Sequence, residues 1–368
     1  MDYSPAELRR WPDLEGPDLA ASDAADRLIL DESSAARRTA PTGTLVVIGD
    51  GYGALTLGAA ADGARGIRVH QDALTGERAL AANAERFGLA SAFESLPLSE
   101  PLVRGARVVL LRLPRSLDAL RDIAGLIAAH SAPDVVVFAG GRVKHMALTM
   151  NDVLREHFDR VDVSHARQKS RVLIARGPHS GRDPEARCET HDGLTVCAYG
   201  GAFAGPSIDI GTRFLREHLP DLSRLDRAVD LACGTGVIAT SLALRHPELR
   251  VYACDQSAAA VASTRATADA NGVGDRIEVV RDDMLGALPA ASEEFIALNP
   301  PFHIGAAVTE SVAPRLFADA ARVLRTGGEL WAVWNSALQY RAALDRLVGP
   351  TRQVARNAKF TVTASIKR

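Results

Sequence analysis

Residues 227–244 read Arg-Ala-Val-Asp-Leu-Ala-Cys-Gly-Thr-Gly-Val-Ile-Ala-Thr-Ser-Leu-Ala-Leu, and the fold is decided there. An apolar strand through Val229-Asp230-Leu231 runs into the turn Gly234-Thr235-Gly236, which opens into a helix from Val237. That order brings bare backbone close to a bound cofactor at the carboxyl end of a parallel strand. A glycine pair alone is weak evidence, so the spacing downstream matters. Nineteen residues after Gly236, Asp255 closes a second strand, Val251-Tyr252-Ala253-Cys254, at the place where a carboxylate takes a ribose diol. Ile277-Glu278-Val279-Val280 then leads to Asp283, placed for an adenine edge, and Phe295-Ile296-Ala297-Leu298 leads to Asn299. Ligands of a doubly wound sheet bind beyond the carboxyl ends of its strands, and all four features fall there in order. Taken singly, Asp255 or Asp283 serves equally well as a helix cap.

The fourth strand ends in Asn299-Pro300-Pro301-Phe302-His303, which in isolation is as readily an ordinary turn. After the signals upstream it reads as a holder for a planar amino group. Such a nitrogen is a poor nucleophile because its lone pair is delocalised, so it must be positioned rather than simply deprotonated. The Asn299 amide oxygen and the Pro300 carbonyl can accept its two N–H bonds, which favours pyramidal geometry and aims the lone pair at a methyl donor. Phe302 can stack on the ring, and the two prolines remove competing donors and stiffen the loop. Asn299, Pro300 and Phe302 are the candidate catalytic residues. His303 is at least as often a hydrogen-bonding prop as a base and is left out.

These residues resemble the Rossmann-like methyltransferases that depend on S-adenosylmethionine. A nicotinamide cofactor is the rival, but the turn lacks the full G-x-G-x-x-G pattern. Phe203-Ala-Gly-Pro-Ser-Ile-Asp-Ile-Gly-Thr-Arg-Phe-Leu215, the Asn-Pro-Pro-Phe run and Asn357-Ala358-Lys359-Phe360 narrow the likeness to the bacterial ribosomal RNA guanine-N2 methyltransferases. Of the two sister groups, the one acting on 23S rRNA is favoured over the 16S group by Asp209–Phe214, His218-Leu219-Pro220 and Ala260–Arg265. Departures are Cys233 and Thr235 in the glycine turn and Trp334 before Asn335, where a smaller residue is expected. The resemblance implies S-adenosylmethionine near Ala232, Gly234 and Gly236, with Asp255 on its ribose and Asp283 near its adenine. Asp230, Asp209 and Thr212 are candidates for its amino-acid end. A guanine would be turned out of its stack and held by Asn299, Pro300 and Phe302. Asn335 and Tyr340 either line that pocket or pack the core.

The first half echoes the second. Leu45-Val46-Val47-Ile48-Gly49-Asp50-Gly51-Tyr52-Gly53 repeats the first strand and turn, with Gly53 lying 183 residues before Gly236 and Asp72 the same distance before Asp255. Val108–Arg115 takes the place of the strand leading to Asn299, without the asparagine or the aromatic, and Val47 stands where Asp230 stands. A period this long is domain duplication rather than a solenoid. The expected fold is α/β, two tandem Rossmann-like methyltransferase domains with the N-terminal one degenerate. The turn-rich run Gly177–Pro184 sets the boundary, giving residues 1–184 and 185–368. The first domain is either an RNA-positioning module, with Arg112, Arg115, Arg142, Lys144, Arg167, Lys169 and Arg171 as phosphate contacts, or a scaffold whose arginines make surface ion pairs.

Composition agrees. A chain of 368 residues exceeds one ordinary domain, and 47% hydrophobic with 24% charged residues is a globular balance. No apolar run approaches a membrane span and no basic-then-apolar start is visible, so a cytoplasmic protein is expected. The net charge of −2 is awkward for an RNA-binding enzyme. Its distribution softens the objection, since Arg142–Arg182 holds nine Lys/Arg against four acids, and the stretch from Thr351 holds five and no acid. Either run can equally be a solvated face. Cys188, Cys197, Cys233 and Cys254 show no CxxC spacing, so buried or indifferent thiols are expected rather than zinc or disulfides, and no metal. Two alternatives stay open. One is methyl transfer to another planar amine, an adenine N6 or a protein glutamine; the other is a catalytically silent RNA-binding protein that keeps the fold.

Overall fold

The computed structural model describes residues 3–301 and 306–368, with side chains in the helix Ala306–Val323 described from Val312 onward. The chain divides into two compact units, Met1–Glu185 and Ala186–Arg368. In the first, β1 (Leu45–Ile48), β2 (Ile67–His70), β3 (Phe93–Ser95), β4 (Val108–Arg112), β5 (Val136–Arg142), β6 (Phe158–Val163) and β7 (Ser170–Pro178) form a sheet of order β3-β2-β1-β4-β5-β7-β6. After the hairpin β8 (Arg187–His191) and β9 (Leu194–Ala198), the second unit repeats the arrangement. Its strands are β10 (Arg227–Leu231), β11 (Arg250–Asp255), β12 (Ile277–Arg281), β13 (Glu293–Leu298), β14 (Leu324–Asn335), β15 (Thr351–Arg356) and β16 (Phe360–Ile366), in the order β12-β11-β10-β13-β14-β16-β15. The duplication read from the sequence is therefore a duplication of topology, five parallel strands closed by an antiparallel pair in each unit.

The central strands are apolar runs because helices cover both faces of each sheet. Side chains alternate between the two resulting cores, Val46 and Ile48 entering one and Leu45 and Val47 the other. In the second unit Ala228 faces one core and Val229 and Leu231 the other. Strand register fixes which residues correspond. Ile48 pairs with Leu111 and Leu111 with Ala139, whereas Leu231 pairs with Leu298 and Leu298 with Ala332. Arg112 thus stands where Asn299 stands, and Arg142 where Asn335 does.

The β8–β9 hairpin corrects one expectation. Its turn is Asp192-Gly193, both left-handed, as a two-residue hairpin requires. Nine residues of separation then place Cys188 directly opposite Cys197, and the two form a disulfide. No CxxC spacing signals such a pair, because the hairpin rather than local spacing brings the sulfurs together. Cys233 and Cys254 are free and buried, as expected. The outer edge of β9 is satisfied by one face of the helix Ala258–Ala270 and its C-cap. The Thr267 hydroxyl accepts from Cys197 N and donates to its carbonyl, Asn271 does the same for Thr195, and Ser263 accepts from Tyr199 N.

Candidate functional site

The turn after β10 is built from alternating left-handed residues, Ala232 (φ +58°), Gly234 (φ +58°) and Gly236 (φ +75°). Its two glycines serve different ends. A Cβ on Gly236 would lie 2.7 Å from Thr264 Cγ2 and 3.0 Å from Thr264 Cα, so this glycine lets the helix Ala258–Ala270 approach. A Cβ on Gly234 would meet nothing within 4 Å, so here the bare backbone borders open space. Asp230 is buried, and one of its oxygens accepts from Ala239 N, 2.8 Å away, in the first turn of the helix Val237–Arg245. Burial raises its pKa to about 7, with the charge of Asp255 adding and the amide bond opposing. Asp255, at the end of β11, accepts from Gly234 N at 3.1 Å and from Ser257 N at 2.9 Å, which ties the turn to the second strand. Beyond β12 two acids divide the work. Asp282 is buried and accepts from Ala287 N at 2.7 Å, while Asp283 is half-buried.

Asn299 follows β13, level with Ala232 on the neighbouring strand. Its Nδ2 donates to Thr212 Oγ1 at 2.8 Å and to Asp209 Oδ2 at 3.2 Å. A carboxylate can only accept, so the amino side of the amide faces Asp209 and the carbonyl side faces away. That carbonyl oxygen is buried and has no hydrogen-bond partner among the described residues. Buried polar atoms are usually paired, so this oxygen is available to a donor that the described residues do not supply. Asp209 is also the N-cap of the helix Ile210–His218, accepting from Thr212 N at 3.1 Å. The structure thus joins Asp209, Thr212 and Asn299, a link the sequence did not reveal. Pro300 is buried beside them. Phe302 and His303 lie outside the described residues. Tyr340 packs in the core against Phe317 and Trp334, and the exposed Asn335 caps a short turn by accepting from Ala337 N.

The carboxyl edge of the first unit has been rebuilt. Asp50 replaces Asp230 from a different position, accepting from Thr56 N at 2.8 Å and Gly53 N at 3.1 Å, and burial raises its pKa. The carbonyls of Asp50 and Gly51 in the glycine turn accept from the buried Gln71 amide, and Tyr52 is pinned by Asn83, Asp13 and the Arg10 guanidinium. Arg112, an expected phosphate contact, is instead committed to protein. Its Nη1 lies 2.8 Å from Asp23 and 2.9 Å from Asp26, because the helix Ala24–Thr39 directs its acidic N-terminus at the end of β4. Arg167 pairs with Asp31 on the surface. Arg115, Lys144 and Lys169 are exposed, with Arg142 and Arg171 half-buried. Desolvation and then the charges of Arg115, Lys144 and Arg142 lower the pKa of His145 among them.

Bare backbone at Gly234, carboxylates at the ends of β11 and β12 and an acceptor without a donor fit S-adenosylmethionine beside an amine. The fold and site define a Rossmann-like, S-adenosylmethionine-dependent methyltransferase. The family described as Methyltransferase small domain matches residues 193–364, and the RLMG N-terminal domain matches residues 1–179. Ribosomal RNA large subunit methyltransferase G of Streptomyces avermitilis is 36% identical over 98% of this chain and 97% of its own. The protein of that name from Pseudomonas aeruginosa PAO1 is 35% identical with the same coverage. The chain belongs to the family of ribosomal RNA large subunit methyltransferase G. Among solved structures, the T. thermophilus 16S rRNA N2 methyltransferase in complex with AdoMet and guanosine superposes with a TM-score of 0.74. It covers 94% of this chain and 92% of that one at 20% identity, a likeness of fold.

Proposed function

We propose that this chain methylates the exocyclic N2 amine of a guanine in large-subunit (23S) ribosomal RNA. S-adenosylmethionine, when bound, supplies an electrophilic methyl group. Ala232, Gly234 and Gly236 would border it, Asp255 would take its ribose and Asp283 its adenine, with Asp230 stiffening the turn through the helix amide. The observation that carries the proposal is the buried, unpaired Asn299 Oδ1. An exocyclic amine is the donor this oxygen lacks, and the Pro300 carbonyl would accept the second N–H. Two acceptors pull the amine toward pyramidal geometry and expose its lone pair. No strong base is required, because the nitrogen becomes acidic only after alkylation and its proton passes to water. Phe302 would sandwich the ring.

In the first unit the edge equivalent to the catalytic one carries Arg115, Arg142, Lys144, Lys169 and Arg171 without a catalytic loop, which supports RNA positioning by phosphate contacts. No described helix is long and apolar enough to cross a membrane, and the described residues hold no His/Cys/Asp/Glu group able to bind a metal. A ribosomal RNA substrate, naked or in a subunit, implies a cytoplasmic enzyme. The test is transfer of radiolabel from S-adenosylmethionine to protein-free 23S and 16S rRNA, with nucleosides identified after digestion. The expected product is N2-methylguanosine in 23S rRNA, lost in Asn299→Ala by a factor of about 10² or more. Label at adenine N6 or on a protein glutamine would replace this substrate.

A further inference from the structure

We infer that Asp209 and Thr212 are positioning residues for the transfer: they clamp the Asn299 amide in the one orientation that turns its oxygen to the substrate amine. The inference rests on the proposed transfer to an amine and adds what sets the acceptor. An asparagine amide is nearly symmetric in shape, so packing alone does not distinguish its oxygen from its nitrogen. At Asn299 the distinction is electrostatic. Asp209 Oδ2 lies 3.2 Å from the amide nitrogen, and a flipped amide would set its carbonyl against that carboxylate at the same spacing. Thr212, 2.8 Å away, accepts the other N–H. A negative charge behind the amino side also polarises the amide and enriches its carbonyl oxygen, strengthening the acceptor as positive charge develops on the substrate nitrogen.

The clamp is held in place by the fold. Asp209 and Thr212 are the N-cap and third residue of the helix Ile210–His218. That helix start is seated by Gly211, where an added Cβ would lie 3.1 Å from both Phe360 Cε1 and Asp209 Oδ2. A larger residue would crowd both the Phe360 ring and the Asp209 carboxylate, which would have to give by a few tenths of an ångström.

The first unit supplies an internal comparison. Asp23 and Asp26 are the N-cap and third residue of the corresponding helix, and they hold Arg112, which stands where Asn299 stands. Two carboxylates face a guanidinium there, whereas one carboxylate and one hydroxyl face a neutral amide in the second unit. The three positions have changed together in charge while keeping their contact, and the degenerate copy retains the clamp on a side chain that has no acceptor to offer. Such matching is expected if the strand-end side chain is set by the helix N-terminus.

Asp209→Asn is the decisive variant, because asparagine caps a helix as well as aspartate and can face Asn299 with either an oxygen or a nitrogen. At saturating S-adenosylmethionine and rRNA, kcat should fall about ten- to hundredfold, with the cofactor Kd by calorimetry and the rRNA KM changed less than about threefold. Thr212→Val should lower kcat in the same way and Thr212→Ser restore most of the loss. A raised cofactor Kd with kcat retained at saturation would overturn the inference and assign Asp209 to the cofactor's amino-acid end. If the wild type binds S-adenosylmethionine but labels no guanine, the substrate proposal fails, and the clamp is read from the protein. In selectively ¹⁵N-asparagine-labelled protein, Asp209→Asn and Thr212→Val should each shift the Asn299 side-chain NH₂ signals. Signals that do not move would overturn it.

Discussion

Replacing Arg112 by methionine should destabilise the first unit and leave RNA binding alone. The guanidinium makes three contacts with two carboxylates, 2.8 and 3.3 Å to Asp23 and 2.9 Å to Asp26. Methionine keeps the apolar stem and removes the charge, leaving Asp26 buried without its counter-ion. Removing one partner of a buried pair costs about 3–5 kcal/mol. The lower end, about 3 kcal/mol, applies here because the Arg112 side chain is 25% exposed and the Asp23 side chain 30%. The pH dependence gives the signature. Burial already lifts Asp26 from 3.8 to about 6 despite the opposing charge of Arg112. A raised carboxylate pKa means that ionisation costs stability, and the cost grows as pH climbs from the unfolded to the folded value. Without Arg112 the folded value rises further, so the cost continues to grow above pH 6. Asp23, which the Arg112 hydrogen bond and charge hold below the usual range against its own desolvation, changes in the same sense. The deficit of the variant should therefore already carry the Asp23 loss at pH 5, because a lowered carboxylate pKa stabilises throughout the range above 3.8, and should grow further toward pH 8 as the Asp26 cost accumulates. Urea unfolding read by pulsed hydrogen exchange of peptides from β4 and β13 separates the two units. An unmoved β4 transition at pH 8, with weaker rRNA binding and a salt slope reduced by about one, would refute the reasoning and restore Arg112 as a phosphate contact.

Further outcomes follow from the same geometry. Gly234→Ala should cost stability only about 1 kcal/mol, for its left-handed backbone, yet weaken S-adenosylmethionine binding; Gly236→Ala, which also collides with Thr264, should cost about 2–4 kcal/mol, both read by urea melts and calorimetry. Asp230→Asn should be less stable than wild type at pH 5, because its buried amino group lacks an acceptor. The gap should narrow by about 3 kcal/mol toward pH 8, since the wild-type carboxyl, lifted to about 7 by burial, ionises at growing cost over that range; parallel denaturant titrations check it. Arg142→Ala and Lys144→Ala should each weaken binding to any RNA sequence and flatten the salt slope by about one, with cofactor affinity unchanged in filter-binding and calorimetric assays.

What the sequence disclosed about this molecule depended on whether the signal was local. The strand–glycine–helix turn at Val229–Val237 and the strand ends at Asp255, Asp283 and Asn299 were legible because a dozen residues carry each one, and the sheet order places them on one edge. The disulfide was not, since the hairpin pairing alone makes Cys188 and Cys197 neighbours. Nor were the true partners of Arg112 and Asn299, which lie 89 and 90 residues away from Asp23 and Asp209 and carry no periodicity that would link them. The sequence therefore leaves Arg112 equally a phosphate contact or a scaffold ion pair, because an isolated arginine at a strand end advertises only its charge. Yet the duplication held the missing information. One chain carries the same architecture twice, and the strand registers and helix starts of the two units set Asp23, Asp26 and Arg112 over Asp209, Thr212 and Asn299. Where the strand-end residue is a cation, both helix positions are anions; where it is a neutral amide, one anion is replaced by a hydroxyl. Charge matching between positions so far apart in sequence has no local cause; it follows the contact that the same fold makes in each unit.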